Sequence, residues 1–188
     1  MIRLLKNTCS CIALLVILFA ITACENNLEE VKRITTRSNE PTQTITSVEI
    51  LYGDSGFVKA KITGPLLQRY ITDTSSNVLF PKGIVVLVYD KQFKQTSSLR
   101  ANSAINRERK KIMEARGNVI VINEKGEKLN TERLFWDENK EKIFSNEFVK
   151  ITTPDKIIYG HGFESNQSFS KYKIFNITGT ISVKNDKQ

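Results

Sequence analysis

A self-similar pattern with a period near 30 residues runs through the second half of the chain. Six-residue blocks beginning at Leu99, Leu129 and Ile158 each hold an aliphatic residue first, a small residue third and an apolar residue sixth. A polar stretch, an isoleucine and a further apolar segment follow each block; the isoleucines are Ile112, Ile143 and Ile174. A period that persists through three copies predicts stacked two-strand units, because one such unit cannot bury an apolar face alone.

The polar stretches that follow the blocks are predicted to be hairpin tips. By propensity, segment 106–116 followed by Gly117 would also form a helix with a C-terminal glycine. Its counterpart one period later, segment 137–142, contains Asp and Asn, which favour turns. Equivalent positions in a repeat share a structure, so both segments are predicted to be charged tips that lead into strands. The helix is kept as the alternative.

Shorter strand-like patterns precede the repeat, at 48–52, 57–62 and 84–89. The last is a β-branched run between Pro81-Lys82-Gly83 and Asp90-Lys91, which is typical of a buried strand. The sequence therefore predicts an all-β fold, an elongated sheet of stacked two-strand repeats with a continuous core.

The N-terminus resembles the export signal of a bacterial lipoprotein. Arg3 and Lys6 precede an uncharged stretch at 12–23, which is too short to span a membrane, since spanning takes roughly 20 apolar residues. The stretch ends in Ile21-Thr22-Ala23-Cys24, which resembles a lipobox. This resemblance implies that 1–23 is a signal peptide and that Cys24 becomes the acylated first residue of the mature chain. The alternative is an ordinary secretory signal that leaves Cys24 free.

Composition limits what the exported chain can do. Cys9 and Cys11 leave with the leader, so a mature chain that begins at Cys24 has no disulfide, cysteine-based zinc site or catalytic thiol. Its net charge falls from +8 to +6, and export makes nucleic acid a poor partner, which leaves anionic lipid or protein. The polar segment 24–47 is predicted to be the lipid anchor and linker, and 48–185 the folded domain.

Catalytic chemistry is weakly supported. The one histidine, His161, lies between two glycines on a predicted strand, with no second histidine for a metal and no serine in a nucleophile-elbow motif. Asp137 and Glu138 are adjacent carboxylates beside lysines in a predicted turn, where solvated loop charges are more common than a general acid and base. We expect no cofactor, no metal and no enzyme activity.

Two phrases within the repeat resemble those of the LptC family, in its lipoprotein form from Bacteroidetes. They are Ala115-x-Gly117-Asn118-Val119-x-Val121 and Gly126-Glu127-x-Leu129-x-Thr131-Glu132-x-Leu134-x-Trp136-Asp137, and the resemblance covers about 48–183. It implies an OstA-like twisted β-jellyroll with an apolar interior. It also implies a non-enzymatic role: accepting lipopolysaccharide from an inner-membrane ABC transporter and passing it to a periplasmic bridge protein of similar fold.

The chain differs from the best-known members of the family in its membrane anchor. Those members have an N-terminal spanning helix, whereas this chain has a lipobox. We expect the protein on the periplasmic side of the inner membrane, with the outer membrane as the alternative.

Eight apolar strand residues are predicted to line a lipopolysaccharide-binding groove, with packed core as the alternative for each. They are Val119, Val121, Leu129, Leu134, Phe148, Ile151, Ile158 and Phe163. Two other functions stay open: a structural or adhesive envelope lipoprotein with a closed core, and a hydrolase that uses His161.

Overall fold

The computed structural model describes residues 40–54 and 56–182. The predicted leader and the predicted acylation site at Cys24 lie outside these described residues. Among the residues described, no helix has both the length and the apolar character needed to cross a membrane.

In the part of the chain that the structure describes, the fold consists of twelve antiparallel strands. They are β1 (Gln43–Asp54), β2 (Phe57–Ile71), β3 (Ser76–Phe80), β4 (Ile84–Tyr89), β5 (Gln95–Ala101), β6 (Ser103–Arg107), β7 (Ile112–Asn123), β8 (Lys128–Asp137), β9 (Lys142–Thr152), β10 (Lys156–Asn166), β11 (Tyr172–Ile174) and β12 (Ile177–Ser182). The predicted all-β fold is confirmed.

The strands form one sheet that closes on itself. Its order is β11-β10-β9-β8-β7-β5-β4-β2-β3-β6, and β6 pairs again with β7. The path closes because β3 and β4 lie end to end along β2, while β5 and β6 lie end to end along β7. β1 extends the sheet beyond β2, and β12 pairs with β10.

A line of backbone irregularities, the bend line, crosses the long strands near their middle. In β7 it falls at Gly117 and Asn118, whose φ angles are 73° and 46°. In β10 it falls at Gly162, with φ 91°, and Asn102 separates β5 from β6 at the same level. Glycine and asparagine tolerate positive φ, and a bulge bends a strand, so the sheet folds over along this line.

The bend divides the sheet into two halves that pack face to face. Half-sheet A contains 66–71, β3, β6, 112–116, 134–137, 142–145, 163–166 and β11. Half-sheet B contains 48–54, 57–63, β4, β5, 119–123, 128–131, 148–152, 156–161 and β12. Both contribute to one apolar core, which includes Leu67, Phe80, Leu134 and Phe163 from A, and Ile62, Ile84, Val119 and Ile151 from B. This is the β-jellyroll that the resemblance implied.

The predicted hairpin tips are confirmed, and the helix alternative for 106–116 is wrong. β6 continues to Arg107, a single 3₁₀ turn spans Glu108–Lys110, and β7 begins at Ile112. β4 has the predicted bounds. β1 begins at Gln43, so 43–47 of the predicted linker belong to the sheet.

The bend at β10 leaves no room for a side chain at Gly160. A Cβ there would lie 2.6 Å from Cγ2 of Ile174 and 2.7 Å from the carbonyl oxygen of Phe175. We expect Gly160→Ala to lower the free energy of unfolding by about 2 kcal/mol, because it overpacks the core. Gly179→Ala on neighbouring β12 is the matched control, since its nearest neighbour is 3.8 Å away. Urea denaturation of both variants checks this; equal losses would contradict it.

Candidate functional site: an apolar interior between two half-sheets

Most of the predicted lining residues lie between the half-sheets. Those in the buried core are Val119, Val121, Leu129, Leu134, Ile151 and Phe163. Ile158 is partly exposed and faces the same side, because it pairs directly with Ile151. Phe148 lies on the opposite face of β9, 46% exposed, and contacts the rings of Tyr159 and His161. Phe148 therefore does not face the interior.

Four of these residues form a continuous row across half-sheet B. Val121 pairs with Leu129, Leu129 with Ile151, and Ile151 with Ile158. Directly paired residues share a face of the sheet, so the alternation of each strand places the whole row inside. The interior thus presents an apolar strip that runs perpendicular to the strands, from β7 to β10.

The interior is filled by side chains of the protein itself. Phe80, Leu129, Ile151 and Phe163 have at most 1% of their surface exposed. An acyl chain could enter between the half-sheets only if they separate. The contacts that hold them together on the side opposite the bend line therefore decide whether the interior can accept a ligand.

One such set of contacts, the first latch, joins the β7–β8 turn to the β10–β11 turn. Asn123 Nδ2 donates to the carbonyl oxygen of Phe169 at 2.9 Å and to Glu127 Oε2 at 2.7 Å. The Tyr172 hydroxyl donates to Glu127 Oε1 at 3.3 Å. The Phe169 ring is fully buried and packs on Phe163 and Tyr172, with centroids 5.6 and 5.1 Å away.

The Tyr172 hydroxyl keeps its proton at neutral pH. Burial raises its pKa to about 12, and the nearby charge of Glu127 acts in the same direction. The first latch thus consists of a hydrogen bond from the neutral Tyr172 hydroxyl to the Glu127 carboxylate and of the buried Phe169 ring, which we call the plug.

A second latch joins β1 to the β8–β9 turn. The Tyr52 hydroxyl donates to Glu138 Oε1 at 3.1 Å, and its ring meets Trp136 edge-on at 5.8 Å between centroids. Lys111 lies 3.8 Å from the same Glu138 oxygen. Both latches combine aromatic contacts with at least one hydrogen bond to a glutamate carboxylate.

Sequence reasoning missed the latch residues. Phe169 stands in a tip that is otherwise polar, and Asn123 precedes a turn, so neither fits the apolar alternation of a core strand. A lone aromatic within a polar tip was the available signal.

A buried carboxylate stabilises the outer face of half-sheet A. Glu114 has no exposed surface, and three guanidinium groups reach it: Arg133 Nε at 2.5 Å, Arg116 Nε at 2.6 Å and Arg107 Nη1 at 2.9 Å. Burial alone would raise the pKa of Glu114, but hydrogen bonds from the three arginines outweigh it and lower the pKa to about 2.

This lowered pKa predicts acid sensitivity. The stabilisation is fully present above the unfolded-state pKa near 4.5 and is lost as the pH falls toward 2. Between pH 6 and pH 3 we expect Glu114 to account for about 2 kcal/mol of lost stability. The measurement is urea denaturation at both pH values for the wild type and Glu114→Gln. A variant that loses as much stability as the wild type would contradict this assignment.

A surface cavity of about 690 Å³ lies beside His161 and includes Asp137 and Glu164. Burial raises the pKa of Asp137, but hydrogen bonds from Lys140 and its charge outweigh that and hold it below the usual range. The Lys142 ammonium likewise lowers the pKa of Glu164. A general acid needs a raised pKa, so this arrangement does not favour the hydrolase hypothesis. No cluster of metal-ligating side chains occurs within the described part of the chain.

Comparison with known families decides the assignment. The family model described as "Lipopolysaccharide-assembly, LptC-related" matches residues 11–181. The chain belongs to the LptC family. The resemblance seen in the sequence is thereby confirmed, and this LptC-family protein has a role in lipopolysaccharide transport.

Among solved structures, this LptC-family protein is similar to LptH, the LptA homologous periplasmic component of the lipopolysaccharide transport device from Pseudomonas aeruginosa. The two share 9% identity with a TM-score of 0.47, over 64% of this chain and 84% of that one. No curated protein matches this chain in sequence.

Proposed function

We propose that this LptC-family protein takes the acyl chains of lipopolysaccharide between its half-sheets. It receives the glycolipid from the inner-membrane ABC transporter and passes it to the periplasmic bridge protein. The observation that carries the proposal is the apolar row Val121, Leu129, Ile151 and Ile158, which crosses four strands inside a sheet bent along one line. A strip perpendicular to the strands suits a cargo that moves from one end of the stack toward the other.

The two sheet edges support docking of the neighbouring proteins. Among the described strands, β1 pairs only with β2, and β12 pairs only with β10, so each leaves main-chain groups at an edge. Such edges bind a further strand through backbone hydrogen bonds. We assign the transporter and the bridge protein to these two edges.

The membrane attachment completes the proposal. Cys24 is the predicted acylation site, and the segment from Cys24 to the start of β1 at Gln43 is the tether. Fully extended, a tether of this length reaches roughly 60 Å.

Site-specific photo-crosslinking tests the cargo assignment. A diazirine side chain at Leu134 or Ile158 should yield a lipopolysaccharide adduct in cells with an active transporter, because both positions face the interior. The matched control is Ile105, whose cross-strand partner is Glu114 on the outer face of half-sheet A. Equal labelling at Ile105, or no adduct from either interior position, would contradict the proposal.

A second candidate is a structural or adhesive envelope lipoprotein, and the filled interior favours it. In that case the half-sheets never separate and the edges alone bind other proteins. The same crosslinking experiment decides between the two, since a permanently closed core gives no lipid adduct at Leu134.

A further inference from the structure

The outer face of half-sheet B carries an unusual combination of side chains. One row crosses nine strands through direct pairings: Leu51, Lys61, Leu87, Ser98, Ile122, Lys128, Thr152, Ile157 and Ile181. It consists of aliphatic side chains, lysines and small hydroxyl residues and contains no carboxylate. At about 4.8 Å between strands, the row extends over roughly 40 Å.

The next row on the same face repeats this character. Its members are Glu49, Thr63, Val85, Arg100, Ile120, Asn130, Lys150, Tyr159 and Gly179. Its one carboxylate, Glu49, lies at the end of the row and pairs with Lys61 at 2.8 Å. Together, the two rows form what we call the B face.

Four apolar side chains of the B face are open to solvent, whereas Ile120 is buried. Leu51, Val85, Ile122 and Ile181 are each more than 40% exposed, and Phe148 adds an aromatic ring beside Tyr159. An exposed patch of this extent on a soluble domain usually marks a surface that binds something.

Three of the four cations of the B face have no acidic partner among the described residues; the fourth, Lys61, pairs with Glu49. Among the described residues, no carboxylate lies within ion-pair distance of Arg100, Lys128 or Lys150, and the Lys150 ammonium instead lies 5.9 Å from the centre of the Tyr159 ring. The outer face of half-sheet A differs, because Glu114 forms ion pairs with three arginines and Lys142 pairs with Glu164. One outer face is charge-paired, whereas the other is apolar and cationic.

We infer that the B face binds the surface of an anionic lipid membrane. Aliphatic and aromatic side chains enter the headgroup region, while Lys128, Lys150 and Arg100 meet lipid phosphates. Charge complementarity selects this occupant, since the unpaired cations Arg100, Lys128 and Lys150 are attracted to a negative surface. The inference adds a second membrane contact to the proposed acyl anchor, and it does not depend on the cargo.

Vesicle binding tests this inference directly. The protein is the mature chain from residue 24 with Cys24→Ser, so that no acyl group contributes; its core lies wholly within 48–169. Vesicles contain either phosphatidylcholine alone or phosphatidylcholine with 30% phosphatidylglycerol. We expect binding to the anionic vesicles only, weakened at high salt.

Charge-neutralising variants identify the face. Lys128→Gln with Lys150→Gln should weaken binding by about tenfold or more, because each cation near an anionic surface contributes to it. Lys110→Gln with Lys171→Gln removes the same charge from exposed tips of half-sheet A and should leave the affinity nearly unchanged.

An apolar pair of variants checks the other half of the inference. Ile122→Ser on the B face should also weaken binding. The control is Ile71→Ser, which should not weaken binding. Ile71 is also an exposed isoleucine, but it lies at the end of β2 in half-sheet A. No vesicle binding, or equal losses in target and control variants, would overturn the inference. So would B-face variants that lose a co-purifying protein while they still bind vesicles.

Discussion

Replacing Phe169 with alanine is expected to lower the free energy of unfolding by about 3–4 kcal/mol. The Phe169 ring has no exposed surface and packs between Phe163 and Tyr172, so its removal leaves a cavity that the surrounding rings fill only in part. The measurement is urea denaturation followed by tryptophan fluorescence, which Trp136 supplies. The control is Phe93→Ala, since Phe93 is 63% exposed and its loss should cost little.

The Phe169→Ala variant also tests the first latch. With the plug removed, the half-sheets should separate more easily, and the variant should bind an environment-sensitive apolar dye more strongly under conditions where it stays folded. Asn123→Ala removes the hydrogen bond to the Phe169 carbonyl and keeps the ring, so it should raise dye binding with a smaller stability loss. If the Phe169→Ala protein were as stable as the Phe93→Ala control, the claim that the buried Phe169 ring stabilises the fold would be contradicted.

Replacing Glu114 with alanine is expected to have the second largest effect, a loss of about 3 kcal/mol. Arg107, Arg116 and Arg133 would then face one another without the carboxylate that holds them within 2.5 to 2.9 Å. Removing one member of a buried ion cluster usually costs 3–5 kcal/mol, and the partial exposure of these arginines reduces the loss. The measurement is the urea midpoint at pH 6.

The matched control for Glu114 is Glu164→Ala on the same outer face. Glu164 also pairs with a cation, Lys142, but both side chains are close to half exposed, so solvent screens the pair and the loss should be much smaller. Similar losses in the two variants would show that burial of Glu114 contributes no special stability.

The fold itself was largely predictable from the repeat. In the block that begins at Leu129, the inward-facing residues are Leu129, Thr131 and Leu134, all of which are buried. The spacing of three between Thr131 and Leu134 breaks strict alternation, so an extra residue must bulge for both to face inward. That bulge is the bend line in β8. The sequence therefore contained the bend, although periodicity by itself predicted only a continuous elongated sheet.

Side-chain direction explains why Phe148 was misplaced. Phe148 and Val149 are adjacent and point to opposite faces, and either could have been the inward residue. Val149 is fully buried, whereas Phe148 joins Tyr159 on the outside. Phe148 was predicted to line the groove, but the register with β10 places it beside His161 on the outer face.

The latches and the Glu114 cluster could not be predicted in the same way. Asn123 and Phe169 are 46 residues apart, and the arginines on Glu114 come from β6, β7 and β8. Such contacts depend on how the folded sheet twists, and the local sequence pattern does not predict that twist. In sequence, the tip that contains Phe169 resembles an ordinary polar hairpin. Only the structure shows that this tip contacts Asn123 of the other half-sheet.

The central claim is that a closed interior opens for acyl chains, and a distance measurement across the latch tests it most directly. Spin labels at Lys125 and Ser170 lie on exposed tips of opposite half-sheets beside the first latch. The control is a pair of labels at Gln92 and Lys125. These residues lie on two tips of half-sheet B, and an ion pair between Lys94 and Glu124 connects the two tips. Addition of lipopolysaccharide should move the Lys125–Ser170 distances to longer values and leave the control distances unchanged. Unchanged Lys125–Ser170 distances in protein shown to hold lipopolysaccharide would contradict the account.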